Sequence, residues 1–349
     1  MSSNMSCKAF ARLRGAFSHK LKLSSEYIVE KRLEVLTGLI PKHFDCCINS
    51  CMAFTGSYAY QDYCFYCNER RYNSDHHPRR QFSYLSLVTQ LQGLFSDPAT
   101  VETLLYRHQY LAPTDEISDV FDGELYHQLH STYVIIDGVE QPYHFFSHQN
   151  DIAFSLATDA YLLFGHRRKG PSATPILIQI YNLPPNIRTH LKNLICVGII
   201  PGPSSPKDIA SFLIPLKDDC AKLAKGIVTF DSLARSMFPL HAYKLFELGD
   251  IVAIEKLLEI RGHNAFCPCR SCLITGVQNS AQRKTNYYVP LATPKRQTRP
   301  HFAGHALPLR THVHFHETWD QIRSASSAKS RENIGKAAGL RVREIDMPS

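Results

Sequence analysis

The sequence predicts an α/β fold: a mixed sheet with flanking helices, preceded by a small cysteine-rich helical lobe. Three observations predict it. Strand-like apolar runs cluster between 152 and 200, a helix of about five turns follows them, and cysteines at paired spacing precede them. A chain of 349 residues, 44% of them hydrophobic, is long enough for two or three cores.

The elements can be justified in order. Residues 1–40 carry a loose helical periodicity at Tyr27, Val29, Leu33, Leu36 and Leu39, which delivers the chain to the first cysteines. In 41–130 the run from Gln81 to His108 has Leu85, Val88, Leu91, Leu94 and Phe95 at helical spacing, and Pro98 opens a second helix. The stretch DVFDGELYHQLH at 119–130 also reads as helical. Within 131–276, IAFSLAT (152–158), PILIQIY (175–181) and LICVGII (194–200) read as strands separated by Gly, Pro and Asn signals. Ser205 and Pro206 then offer an N-cap and a first-turn proline. Ile209, Phe212, Leu213, Leu216, Cys220 and Leu223 keep one apolar face as far as Gly226. A strand over 238–248 ends at Gly249 and Asp250, and IVAIEKLLEI reads as a helix. Three strands, a helix, a strand and a helix is the order of a ribonuclease-H-like core. Residues 277–349 include KTNYYVPLATPKRQTRP (284–300) as an extended basic connection and continue as a helix over 311–335 capped at or near Thr311.

The formal charge of +8 and pI near 8.9 suit a polyanionic partner without establishing one. No stretch approaches the ~20 apolar residues of a membrane-spanning helix, and the opening residues lack a signal peptide's apolar region. The expected location is therefore inside the cell, where 11 cysteines are better read as metal ligands and thiols than as disulfides. Cys7, Cys196 and Cys220 stand apart as ordinary thiols.

Cys47-x3-Cys51-x12-Cys64-x2-Cys67 gives two short pairs separated by a dozen residues, the spacing of a structural Zn²⁺ site. Four thiolates leave no open coordination position. Cys46 competes with Cys47 as the first ligand. A second group, His263, Cys269 and Cys272, has a knuckle and a third ligand, with Cys267, His301 or His305 as options for a fourth.

Asp159 follows the first core strand and Asp250 the fourth. If those strands are neighbours, their C-terminal carboxylates converge, and converging hard oxygens suit Mg²⁺ or Mn²⁺. Such ions support phosphodiester cleavage and strand transfer. Taken singly, an Asp after a strand is a turn or cap residue.

The run from Asp159 through LPPNIRTHLKNLICVGIIPGPSSPKDIASFLIPL and LGDIVAIEKLLEIRGHNAFCPCRSC resembles the transposases of CACTA-type (En/Spm-like) elements, in particular those of basidiomycete fungi. FDCCINSCMAFTGSYAYQDYCFYC, FSYLSLVTQLQGLF and DVFDGELY upstream, with YYVPLATP and LPLRTH downstream, extend the resemblance over most of 40–315. It implies a metal-dependent DNA transposase with Asp159 and Asp250 at its first two acidic positions and His263, Cys269 and Cys272 in a zinc-binding insertion. Implied partners are double-stranded DNA at transposon ends and a full-length transposase or a second copy of the chain. No membrane is expected, and the implied location is the nucleus, otherwise the cytoplasm.

Two departures bear on activity. Ala160 stands where the family has glycine, and alanine tolerates a positive φ poorly. No residue before Ser349 matches the family's third acid, including Glu317, Asp320, Glu344 and Asp346. The expectation is an incomplete ribonuclease-H-like core, truncated on its C-terminal side and inactive. Two alternatives are a zinc-containing accessory module that binds DNA or transposase through Lys284, Lys295, Arg296 and Arg299, and a gene model lacking an exon.

Overall fold

A computed structural model of the chain describes residues 7–20, 22–159, 161–162, 172–262, 265–278, 287–288 and 304–342. Helices α1 (Cys7–Ala16) and α2 (Glu26–Thr37) precede strand β1 (Lys42–Asp45) and, after the cysteine-bearing loops, strand β2 (Gln81–Tyr84). Helices α3 (Leu87–Leu94), α4 (Pro98–Leu104), α5 (Tyr106–Gln109) and α6 (Glu124–His130) follow. A hairpin of β3 (Tyr133–Ile136) and β4 (Val139–His144) leads to β5 (Ile152–Thr158). The chain continues through β6 (Tyr161–Leu162), β7 (Ser172–Ile180), the one-turn α7 (Pro185–Arg188) and β8 (Ile195–Pro201). Then come α8 (Ile209–Lys225), a hairpin of β9 (Ile227–Asp231) and β10 (Ser236–Leu240), β11 (Ala242–Leu248) and α9 (Ile251–Leu257). The short pair β12 (Val277–Gln278) and β13 (Tyr287–Tyr288) precedes α10 (His312–Ser324) and α11 (Ala328–Ala338).

The main sheet is mixed, in the order β1-β2-β8-β7-β5-β11 with β6 beside β7. β5, β7 and β8 are antiparallel neighbours, whereas β11 runs parallel to β5 with Leu248 opposite Ala157. The predicted adjacency of the first and fourth core strands is therefore observed. α8 supplies the crossover between β8 and β11, and its Ile209, Phe212, Leu216 and Leu223 are buried in the same core as Phe154, Leu156, Ile176 and Ile178. At its end Gly226 adopts a φ of +88°, and a Cβ there would lie 2.8 Å from the His241 ring. Glycine is thus required both by backbone conformation and by space.

Several elements differ from expectation for identifiable reasons. Gln81–Tyr84 is a strand, because Phe82 and Tyr84 alternate into the core while Gln81 and Ser83 face out. Ser86 then caps α3. β1 and β2 thereby extend the main sheet, and Leu87 and Leu91 of α3 join its core, where the sequence suggested a separate helical lobe. The predicted strand over 238–248 divides at His241: β10 pairs with β9, and β11 pairs with β5. The imidazole of His241 lies 3.2 Å from the Asp151 carboxylate, and its carbonyl accepts from the Ile152 amide at 2.9 Å, which pins the corner. The helix over 311–335 is two helices capped by Thr311 and Ser327. α8 begins three residues later than Ser205 suggested, with Asp208 as its cap. Lys284, Lys295, Arg296 and Arg299 of the basic connection, and Glu344 and Asp346, lie outside the described residues. Among the described residues no helix is long and apolar enough to cross a membrane.

Candidate metal centre and carboxylate cleft

The first cysteine cluster forms from two hairpin tips. The Cys46↔Ala53 bridge and the Cys47 amide bonded to the Met52 carbonyl at 2.9 Å close one tip. The Tyr63↔Arg70 bridge and the Cys64 amide bonded to the Glu69 carbonyl at 2.8 Å close the other. Ser50 and Asn68 take positive φ values of 60° and 56° to complete these tight turns. The ligand atoms of Cys47, Cys51, Cys64 and Cys67 all lie within 4.8 Å of one another, and the sulfurs of Cys47 and Cys67 are 3.4 Å apart. Four thiolates about 2.3 Å from a tetrahedral zinc have S···S edges of roughly 3.8 Å, so this donor set fits Zn²⁺ in size and chemistry. The four cysteines can hold a metal ion.

The choice between Cys46 and Cys47 follows from strand alternation. Cys46 turns into the main hydrophobic core, where burial pushes its thiol up to about 12. Cys47 turns the other way. Its thiol is held down to about 5, first by the hydrogen bond from Cys64 and then, against the cost of burial, by the amides of Cys51 and Asn49. Amides directed at a sulfur stabilise the thiolate a metal needs.

The cluster is seated on the start of α8. The Cys51 carbonyl accepts from the amides of Lys207 and Asp208 at 3.0 and 2.9 Å. Tyr58 and Tyr66 donate to the Asp208 carboxylate at 2.8 and 3.2 Å, and the Ala53 amide donates to the Ser211 hydroxyl at 2.9 Å. Pro215 inside α8 has no N–H for the Ser211 carbonyl, and the Thr55 hydroxyl takes that acceptor instead. A proline that would ordinarily weaken a helix thus leaves a docking point for the cysteine segment.

Asp159 and Asp250 emerge from the C-terminal ends of the parallel neighbours β5 and β11 and line one cleft of about 230 Å³. Its other walls include Thr158, Thr174, Ser205, Ile209 and Lys256. Both carboxylates are exposed. Asp250 is also the N-cap of α9, accepting from the Ala253 amide at 2.7 Å, so the structure realises its cap role together with its place in the cleft. The Thr158 hydroxyl is buried without a hydrogen-bond partner, and Lys256 donates to the Ser205 hydroxyl at 2.5 Å. Thr158 and Lys256 were not singled out from sequence, and Ser205 only as a helix cap. Lys256 stands four positions beyond Val252, another lining residue, and this helical spacing is a signal that could have found it.

The second cysteine group is less complete. Cys269 accepts from the Ser271 amide at 3.3 Å, and a hydrogen bond with Cys272 joins the two thiols. Cys267, an option for the fourth ligand, instead accepts from the Arg310 guanidinium at 3.1 Å. Ala160, His263 and His301 lie outside the described residues, and His305 is exposed. Among the described residues only the first cluster brings three or more metal-ligating groups together.

Residues 122–308, more than half of the chain, match the model of the transposase family tnp2. The chain therefore belongs to that family of transposases. The matched span contains both cleft carboxylates and the second cysteine group, and the Cys47–Cys67 cluster precedes it. No curated protein matches the chain.

Proposed function

We propose that this chain is a transposase-derived protein of a CACTA-type element that binds double-stranded DNA in the nucleus and places a backbone phosphate in the cleft between Asp159 and Asp250. The observation that carries this reading is the convergence of those two carboxylates from adjacent parallel strands in one cleft. The strand order β8-β7-β5-β11, antiparallel except for its last pair, supports a ribonuclease-H-like core.

Asp159 and Asp250 would hold Mg²⁺ or Mn²⁺, which when bound supplies activation of the attacking oxygen and stabilisation of the leaving one. The Lys256 ammonium in the same cleft balances phosphate charge, and the partnerless Thr158 hydroxyl offers a donor. Among the described residues two carboxylates line the cleft, a sparse set for hard divalent ions, which prefer six or more oxygens. The ancestral cleavage and strand transfer are accordingly lost or greatly reduced, and DNA binding is the retained activity. The tetrathiolate cluster holds structural Zn²⁺, and a full-length transposase or a second copy of the chain is the protein partner.

Fluorescence anisotropy with duplex DNA tests the reading. Binding should weaken linearly on a log-log plot as salt rises. Mn²⁺ should strengthen it. In Asp159→Asn/Asp250→Asn, metal-free binding should be tighter and the Mn²⁺ response absent, because carboxylate repulsion and the ion's ligands go together. An unchanged Mn²⁺ response in that variant, or no salt-sensitive binding, overturns it.

A further inference from the structure

A second cavity, of about 620 Å³, shares Ile209 with the carboxylate cleft. Its volume falls within the ~300–1,000 Å³ range of ligand pockets. Phe154 and Leu156 of β5 and Leu213 and Leu216 of α8 give it an apolar floor. Trp319 of α10, the single tryptophan of the chain, is half-buried in its wall. Lys217, Lys244 and Arg323 bring positive charge to the same cavity beside the carboxylates of Glu247 and Glu259, with Lys244 paired to Glu247 and Arg323 to Asp320.

Glu247 adds a specific demand. One carboxylate oxygen pairs with Lys244, while Oε2 is buried with no hydrogen-bond partner. An occupant should therefore present a flat face to Trp319, an N–H donor to Glu247 and an anionic group to the lysines and arginine. A purely apolar helix would leave the buried Glu247 oxygen unsatisfied. An unpaired nucleobase on its phosphate backbone meets all three requirements, and stacking on an aromatic side chain is open to every base because each has a π face.

We propose that this cavity receives a nucleobase unstacked from the DNA strand whose backbone occupies the adjoining carboxylate cleft, with Trp319 stacking on the base. The proposal rests on the reading of that cleft as a DNA site.

The lone tryptophan makes the test direct. Intrinsic fluorescence of the full chain is followed while single-stranded oligonucleotides are added, alongside strands of equal length whose sugars are abasic, with anisotropy of a labelled end reporting binding independently. Base-bearing strands should quench Trp319 and abasic strands should not. Trp319→Ala should lose roughly tenfold in affinity for base-bearing strands alone. Trp319→Phe, which keeps an aromatic face and the packing volume, should lose little. Binding with equal quenching by both strands, or with none, overturns the base pocket while leaving the cleft as a DNA site. No binding of either strand by anisotropy overturns the base pocket, and absence of duplex binding as well overturns both.

Discussion

The Tyr58 hydroxyl donates a 2.8 Å hydrogen bond to the carboxylate of Asp208, the residue that caps α8, and so ties the cysteine cluster to the helix bordering the cleft. Burial first, and then the bonds to Tyr66 and Asp208, hold the phenol far above its usual range, so it remains a donor at any working pH. Tyr58→Phe removes this bond and leaves the longer one from Tyr66. The expected loss is about 1.5 kcal/mol, the low end for a bond to a charged group. Denaturant unfolding measures it, and zinc content should be unchanged.

The two adjacent cysteines should separate cleanly by substitution. Cys47→Ala removes a ligand and should abolish stoichiometric zinc, followed by loss of the folded cysteine hairpins, since binding free energy at such a site is folding free energy. Cys46→Ala should keep one zinc at this cluster and cost only packing, about 1 kcal/mol for one small buried group. Elemental analysis and thermal melting of the two proteins check both outcomes.

Asp219 predicts part of the acid sensitivity. Burial pushes its pKa up, but the hydrogen bonds from Ser86, Lys222 and Tyr84 outweigh this and leave it below the ordinary carboxylate value. The Ser86 and Tyr84 hydroxyls lie 2.7 and 2.9 Å from one oxygen, with the Leu87 amide at 3.0 Å. A depressed folded-state pKa contributes stability that is fully present above the unfolded value of about 3.9 and is lost as pH falls through the lower folded value. Asp219→Asn should cost roughly 2 kcal/mol at neutral pH and make stability less steep below about pH 4. Denaturation midpoints measured from pH 3 to pH 7 test the slope.

Asp250 has two roles that substitution can divide. Asparagine is as good an N-cap as aspartate, so Asp250→Asn should leave stability nearly unchanged while removing a divalent-ion ligand. Asp250→Ala should lose both, with about 1 kcal/mol of destabilisation from the vacated cap. Calorimetric titration with Mn²⁺ and thermal unfolding of the two variants distinguish cap from ligand.

Much of this arrangement is legible in the sequence because the signals are local or periodic. The paired cysteine spacing, the apolar strands at 152–158 and 194–200 and the face of α8 each follow from chain geometry. The β5–β11 adjacency that brings Asp159 to Asp250 was legible only through the order of elements. Gln81–Tyr84 is too short for alternation to outweigh the helical pattern beyond it, so its place in the sheet was missed. Ser205 looked like a helix cap because Pro206 follows it. The true cap, Asp208, is fixed by tertiary partners, the Cys51 carbonyl and the Tyr58 hydroxyl, which no local pattern records. Pro215 gave no sign that the Ser211 carbonyl it leaves free would be answered by Thr55, 156 positions upstream, because such pairing exists only after folding.

A nicking assay decides whether the proposed cleft between Asp159 and Asp250 holds DNA without cleaving it. Zinc-loaded protein is incubated with supercoiled plasmid and Mn²⁺ at concentrations where anisotropy shows the DNA bound. The DNA should be bound and nicked no more than by Asp159→Ala/Asp250→Ala. Nicking by the native chain that either Asp159→Ala or Asp250→Ala abolishes would contradict this.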